Sequence, residues 1–129
     1  MASRNWDSEM VLGKKRYKLD FTFFPAAAGT PTFVAKDNPG LASVAWTSTG
    51  VFTLTLQDTY RRLISKQLTL QMNAATDLTA QFGAVSNVGS ATPVTVVVRT
   101  LAAATPTDIA ANANNSISVQ LCFSDNADT

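Results

Sequence analysis

Two runs of strict alternation occupy the middle of the chain. Between Gly50 and Met72, Phe52, Leu54 and Leu56 fall on one side of an extended backbone and Thr53, Thr55 and Gln57 on the other. Leu68, Leu70 and Met72 then alternate in the same way with Gln67, Thr69 and Gln71. Successive side chains of a strand point to opposite faces, so a period of two predicts strands with one face in a core and one in water. The connection DTYRRLIS, residues 58–65, is where the alternation drops out and charge gathers.

The same rhythm recurs on both sides of this stretch. Tyr17, Leu19, Phe21 and Phe23 alternate with Lys18, Asp20 and Thr22, which predicts a strand ending at Pro25. Gly29 and Pro31 break the following segment into a loop, with a short strand at Thr32–Ala35. Asp37-Asn38-Pro39-Gly40 is a turn: Asp and Asn bond to nearby backbone, Pro fixes φ and Gly accepts a positive φ. Leu41–Thr47, with Val44 and Trp46 on one face, forms a hairpin with Val51–Gln57 through Thr47–Gly50. Leu78–Val85 is a further strand, with Ala80, Phe82 and Ala84 aligned. Val94–Leu101 is apolar on both faces, which predicts a central strand covered on both sides, with the stem of Arg99 lying over apolar surface. Asp108–Ala111, just after Pro106, suits a helical turn, and Ser116–Phe123 alternates as the last strand. Seven or eight short strands, turns about every eight to twelve residues and no long helix predict an all-β fold. The expectation is a single antiparallel β-sandwich, jelly-roll-like, over residues 17–129, with a short helical turn and an N-terminal arm at 1–16.

Length and composition sharpen this in one respect. A chain of 129 residues is large enough for one core without staples. Charged residues make up 15% against about 25% in an average soluble domain, and Thr, Ser, Asn and Gln take the wet positions. Covering a neutral hydroxyl costs far less than covering a charge, so such a surface suits large contacts with protein; the competing reading is that strands favour Thr in any case. The net charge of +1 selects no anionic partner, and neither nucleic acid nor a membrane is expected. The first ten residues carry no secretory signal and no run approaches a membrane span, so the expected site of synthesis is the cytoplasm.

The residues that usually carry chemistry are scarce. The chain has no histidine, which removes the common general base at neutral pH, and with one cysteine it cannot build the usual zinc sites or an internal disulfide. Cys122 lies in an alternating run, on the opposite side from Ile117, Val119, Leu121 and Phe123, with no base to activate it. The nine acids stand singly, most of them in turns where an Asp acts as a cap, and no calcium-binding or phosphate-cradling loop occurs. The expectation is a protein that is not an enzyme and that holds no cofactor and no metal.

Binding residues are better represented. Arg4, Lys14, Lys15, Arg16 and Lys18, five of the ten basic residues, precede residue 19 and accompany Trp6, Met10, Val11 and Leu12. They read as an arm that docks on a neighbour through Trp6 and a cationic end, or as a solvated terminus. Tyr60, Arg61 and Arg62, with Leu63 and Lys66, form the other cluster, since Arg and Tyr combine contact area with a polar end. Its alternative is a wet connection whose Leu63 and Ile64 plug the end of the sandwich. The candidate partner-binding residues are therefore Trp6, Lys14, Lys15, Arg16, Tyr60, Arg61 and Arg62. A second class of function, a carbohydrate-binding appendage, would use Trp46 or Trp6 as a stacking platform.

Three blocks also resemble small virion proteins of tailed bacteriophages: Gly50 to Tyr60, the valine-rich Val94 to Leu101, and Asp108 to Phe123 with its Asn114-Asn115 turn. The likeness covers residues 41–123 and leaves the basic arm outside it. What the resemblance implies is a capsid decoration, or cement, protein. Such a β-sandwich oligomerises on the capsid exterior, as a trimer in this reading, and bridges subunits of the major capsid protein. It implies no catalytic residue.

Overall fold

A computed structural model describes residues 16–124. Nine strands follow in order: β1 (Arg16–Ala26), β2 (Gly29–Thr32), β3 (Leu41–Ser48), β4 (Val51–Leu56), β5 (Arg62–Gln71), β6 (Leu78–Ser86), β7 (Thr95–Ala102), β8 (Thr105–Pro106) and β9 (Ser116–Ser124). They form two antiparallel sheets. One has the order β2-β1-β9-β5; the other has the order β3-β4-β7-β6, with the two-residue β8 pairing β7. This is the all-β sandwich that the alternation implies. No helix among the described residues is long and apolar enough to cross a membrane.

The inward rows of the strands make the core. Phe21 and Phe23 of β1 and Ile117, Val119, Leu121 and Phe123 of β9 meet Phe52, Leu54 and Leu56 of β4 and Val96 and Val98 of β7, all nearly inaccessible. Phe23 and Phe52 join the two layers with ring centroids 5.5 Å apart. Each such side chain contributes about 1.5–3 kcal/mol by leaving water. The covered apolar residues of the strands come from β1, β3, β4, β7 and β9, joined by Val94, Ile109 and Tyr60 from the connections. No residue of β5 or β6 is buried.

Several expectations need correction. The short strand after the first loop is Gly29–Thr32 rather than Thr32–Ala35; the chain turns back at Ala27-Ala28, with Ala28 at φ 47°, and residues 35–37 form a 3-10 turn. Strand β5 begins at Arg62, so Arg62 to Ser65 belong to a strand and not to the connection. In β6 a bulge between Phe82 and Val85 shifts the rhythm by one residue, so Val85 and not Ala84 joins Leu78, Ala80 and Phe82 on the core side. Strand β7 is central, between β4 and β6, but a two-layer sandwich covers one face only: Val96 and Val98 are sealed while Val97 is half-buried and Arg99 exposed. Asp108–Ala111 is not helical; Ile109 is a buried plug in an irregular segment.

That segment is held by side chains. The Asp108 carboxylate accepts the indole N–H of Trp46 at 2.9 Å and the backbone N–H of Gly50 at 2.7 Å, tying it to the β3–β4 hairpin. Gly50 lies at φ +66°, and a Cβ there would stand 2.6 Å from the Thr100 carbonyl oxygen and the Thr107 nitrogen, so no other residue fits. Buried Asn38 and Asn115 do similar work. Asn38 accepts the Thr22 N–H and donates to the Val34 carbonyl, and Asn115 accepts the Asn73 N–H and donates to the Ala110 carbonyl.

Candidate interaction surface

Two surfaces stand out, each produced by where the strand rhythm leaves its second row. The first is the outer face of the β2-β1-β9-β5 sheet. Because the odd-numbered residues of β1 and β9 point into the core, the even-numbered ones line up across three strands outside it. Thr22, Ser118 and Thr69 form one row, Asp20, Gln120 and Gln67 the next, and Lys18, Cys122 and Ser65 a third. The hydroxyls of Thr22 and Ser118 are bonded at 3.0 Å. One carboxylate and one ammonium stand among these nine side chains, so this part of the face is polar and close to neutral; the next row, Arg16, Ser124 and Arg62, adds two guanidiniums at its end. A shallow depression of about 540 Å³ lies over the third row and its neighbours Lys66 and Leu121. Cys122 is largely covered there, on the side of β9 opposite its apolar row.

The second surface is the side of the sandwich where β5 and β6 run. Leu63, Leu68 and Leu70 of β5, Met72, and Leu78, Phe82 and Val85 of β6 pack against the core but stay partly exposed. Ile64, 44% exposed, stands free of it. Lys66 belongs to the inward row of β5, opposite Leu121, yet its Nζ reaches out and sits 5.2 Å from the centre of the Phe82 ring. A cation over a ring face gains about 0.5–1 kcal/mol at an exposed site.

The proposed partner-binding residues divide between these surfaces and the core. Trp6, Lys14 and Lys15 lie outside the described residues. Arg16 is the first residue of β1 and Arg62 the first of β5, and both stand opposite Ser124 of the intervening strand. The structure thus brings the two arginines to one end of the sheet, about 10 Å apart at two strand spacings. Arg61 is exposed beside them, in a dip of about 280 Å³ with Thr59, Gly89 and Ser90. Tyr60 is different: it is 8% exposed and stacks on Phe123 with centroids 4.4 Å apart, so its ring belongs to the core. Tyr17, exposed at the same end, approaches Tyr60 with centroids 5.8 Å apart. Leu63 is half-buried as a plug would be, whereas Ile64 points to solvent. Trp46, named for sugar stacking, is partly buried, packs against the core and has its indole N–H on Asp108.

Carboxylates do come together in one groove, where Asp20, Asp37 and Asp58 line a space of about 480 Å³ beside Gly40. No three His, Cys, Asp or Glu side chains among the described residues are placed to hold a metal ion. Sequence reasoning missed the neutral outer face as a surface, because its rows exist only once β1, β9 and β5 are known to be neighbours. Compared with known protein families, curated proteins and solved structures, the chain matches none of them.

Proposed function

We propose that this protein is a non-enzymatic structural subunit that works by covering other protein surface, and that its place is the exterior of a tailed-bacteriophage capsid, where it bridges major capsid subunits. The observation that carries the first part is the near-neutral stretch of the outer face of the β2-β1-β9-β5 sheet, with its three rows of mostly uncharged polar side chains. Such a face can be covered by a second protein without stripping water from many charges. Repetition across a capsid would turn modest single contacts into firm attachment, because each further contact is made at high effective concentration. The resemblance of residues 41–123 to small virion proteins supplies the capsid part of the reading.

Cosedimentation tests it. The full chain is mixed with empty, expanded capsids assembled from the major capsid protein encoded nearest its own gene. Saturable binding that reaches a fixed number of copies per capsid is expected, and binding weakened by Gln120→Arg with Thr22→Arg on the outer face. A chain that stays in the supernatant at all concentrations would overturn the capsid reading. Removing residues 1–16 then separates the arm from the sandwich, because undiminished binding assigns attachment to the sandwich alone.

A further inference from the structure

Sheet edges decide what an all-β molecule can join, because an edge strand carries a row of N–H and C=O groups with no strand beyond it. The direction of that row in β6 can be read from its neighbour. The Thr100 N–H donates to the Gly50 carbonyl at 2.8 Å and the Val94 carbonyl accepts from Leu56 at 2.9 Å, so even-numbered positions of β7 bond toward β4. Odd-numbered positions of β7 therefore bond toward β6, where Gln81 stands opposite Arg99 and Thr79 opposite Leu101. It follows that Leu78, Ala80 and Phe82 turn their backbone groups out of the sheet, while Leu78 and Phe82 keep half-exposed apolar side chains on the core side.

Other edges are blunted. Strand β2 has four residues, one of them Pro31. Strand β5 carries a bulge between Leu63 and Ser65 and places Lys66 in its inward row, and β3 is irregular near both ends. Bulges, prolines and inward-pointing charges are the usual protections against edge pairing. From Leu78 to Phe82, β6 has none: the segment is regular and uncharged, and its bulge comes only after Phe82.

We propose that the Leu78–Phe82 edge of β6 pairs antiparallel with the same segment of a second copy of this chain, about a two-fold axis through Ala80. Ala80 then faces Ala80, Leu78 faces Phe82 of the other copy, and Thr79 faces Gln81. Ala80 exchanges both of its bonds with Ala80, and at each end the Phe82 N–H donates to the Leu78 carbonyl, the Leu78 N–H being held by the Thr76 hydroxyl at 2.8 Å; inward side chains meet inward side chains, so the half-exposed Leu78 and Phe82 of both copies cover one another. The apolar pattern favours a second copy over an unrelated strand. The register is self-complementary: at both ends it sets Leu78 of one copy against Phe82 of the other on the core side, and no charged residue of Leu78–Phe82 opposes another. A two-fold contact of this kind closes at two copies. It does not rest on the capsid reading and can be tested without a capsid.

The mass of the full chain in solution is measured by light scattering at micromolar concentration, with Ala80→Pro as the variant. Proline removes the N–H at the centre of the pairing and is tolerated on an edge whose N–H points away from its own sheet. Twice the 13.7 kDa of one chain is expected, falling to the single-chain mass in the folded variant. A single-chain mass for the unaltered protein, a mass above two chains, or a two-chain mass that survives Ala80→Pro would overturn the proposal. Should Ala80→Pro fail to fold, the double variant Thr79→Cys with Gln81→Cys decides. Oxidation is expected to link two chains through these facing positions, and a product that stays at one chain would contradict the register.

Discussion

The two halves of the sandwich are finished to different degrees. Around β4, β7 and β9 the inward row is complete: Phe52, Leu54, Val96, Val98, Ile117, Val119 and Phe123 are sealed, and irregular segments are pinned over their ends by Asp108, Asn38 and Asn115. On the β5–β6 side the inward rows are apolar too, with Leu68, Leu70, Leu78 and Phe82 in them, yet none of these is buried. The difference does not lie in residue type. Strands β5 and β6 are the outermost strands of their sheets on the same side, and there the inward side chains stay partly exposed, whereas on the opposite margin Leu41 and Val44 of the outermost β3 are covered. An apolar row left half-covered among the described residues is what a surface awaiting a partner looks like, and the Lys66 ammonium stands over its Phe82 ring.

Truncating one aromatic ring on each side breaks or sharpens this contrast most strongly. Phe52→Ala empties a fully packed position and is expected to cost about 3–5 kcal/mol in urea unfolding, enough to threaten folding of a domain of this size. Phe82→Ala, measured where the protein is dilute, is expected to cost about 1–2 kcal/mol, because part of its ring already meets water. Equal costs would mean that the two sides are packed alike.

A smaller effect comes from the turn that closes β7 on β8. Ala103 and Ala104 stand at φ 48° and 71°, a left-handed pair in which Gly or Asn is the usual occupant. Ala104→Gly relieves the Cβ clash and is expected to stabilise the chain by about 0.5–1 kcal/mol, read as a higher urea midpoint with an unchanged slope. The gain would belong to the sealed half, since β7 runs through its centre; a loss would mean that this backbone conformation is not the one occupied in solution.

The same turns show where reading the chain stops. Alternation located nearly every strand, since the inward row of a half-covered strand is written in its own residues: Phe21 and Phe23, Phe52 to Leu56 and Ile117 to Phe123 all follow it. The turn at Ala103-Ala104 carries no Gly, Asn or Pro at its tip, so no local chemistry announces it; at Ala27-Ala28 the breakers Gly29 and Pro31 lie just past the tip, inside β2 itself, so they mark a loop where the return strand already runs. The start of β5 was hidden because a bulge and two arginines interrupt its rhythm. Asp108 read as an ordinary turn acid, and only the fold reveals that it holds Trp46 and Gly50 together from about sixty residues away. The candidate surfaces were the least accessible. A period of two tells which way a side chain points, but not which strand lies beside it, and both the neutral rows and the bare β6 edge depend on neighbours.

Amide hydrogen exchange read residue by residue addresses the unfinished side most directly. Within β6, Thr79 and Gln81 turn their N–H groups toward β7 and should be protected at every protein concentration. Ala80 and Phe82 point theirs out of the sheet. Covered by a second copy, these two amides are expected to become protected as the concentration rises and to exchange freely on dilution, in step with the change in mass. Exchange at Ala80 and Phe82 as fast as in an exposed loop, at concentrations where two chains are associated, would place the contact elsewhere on the molecule.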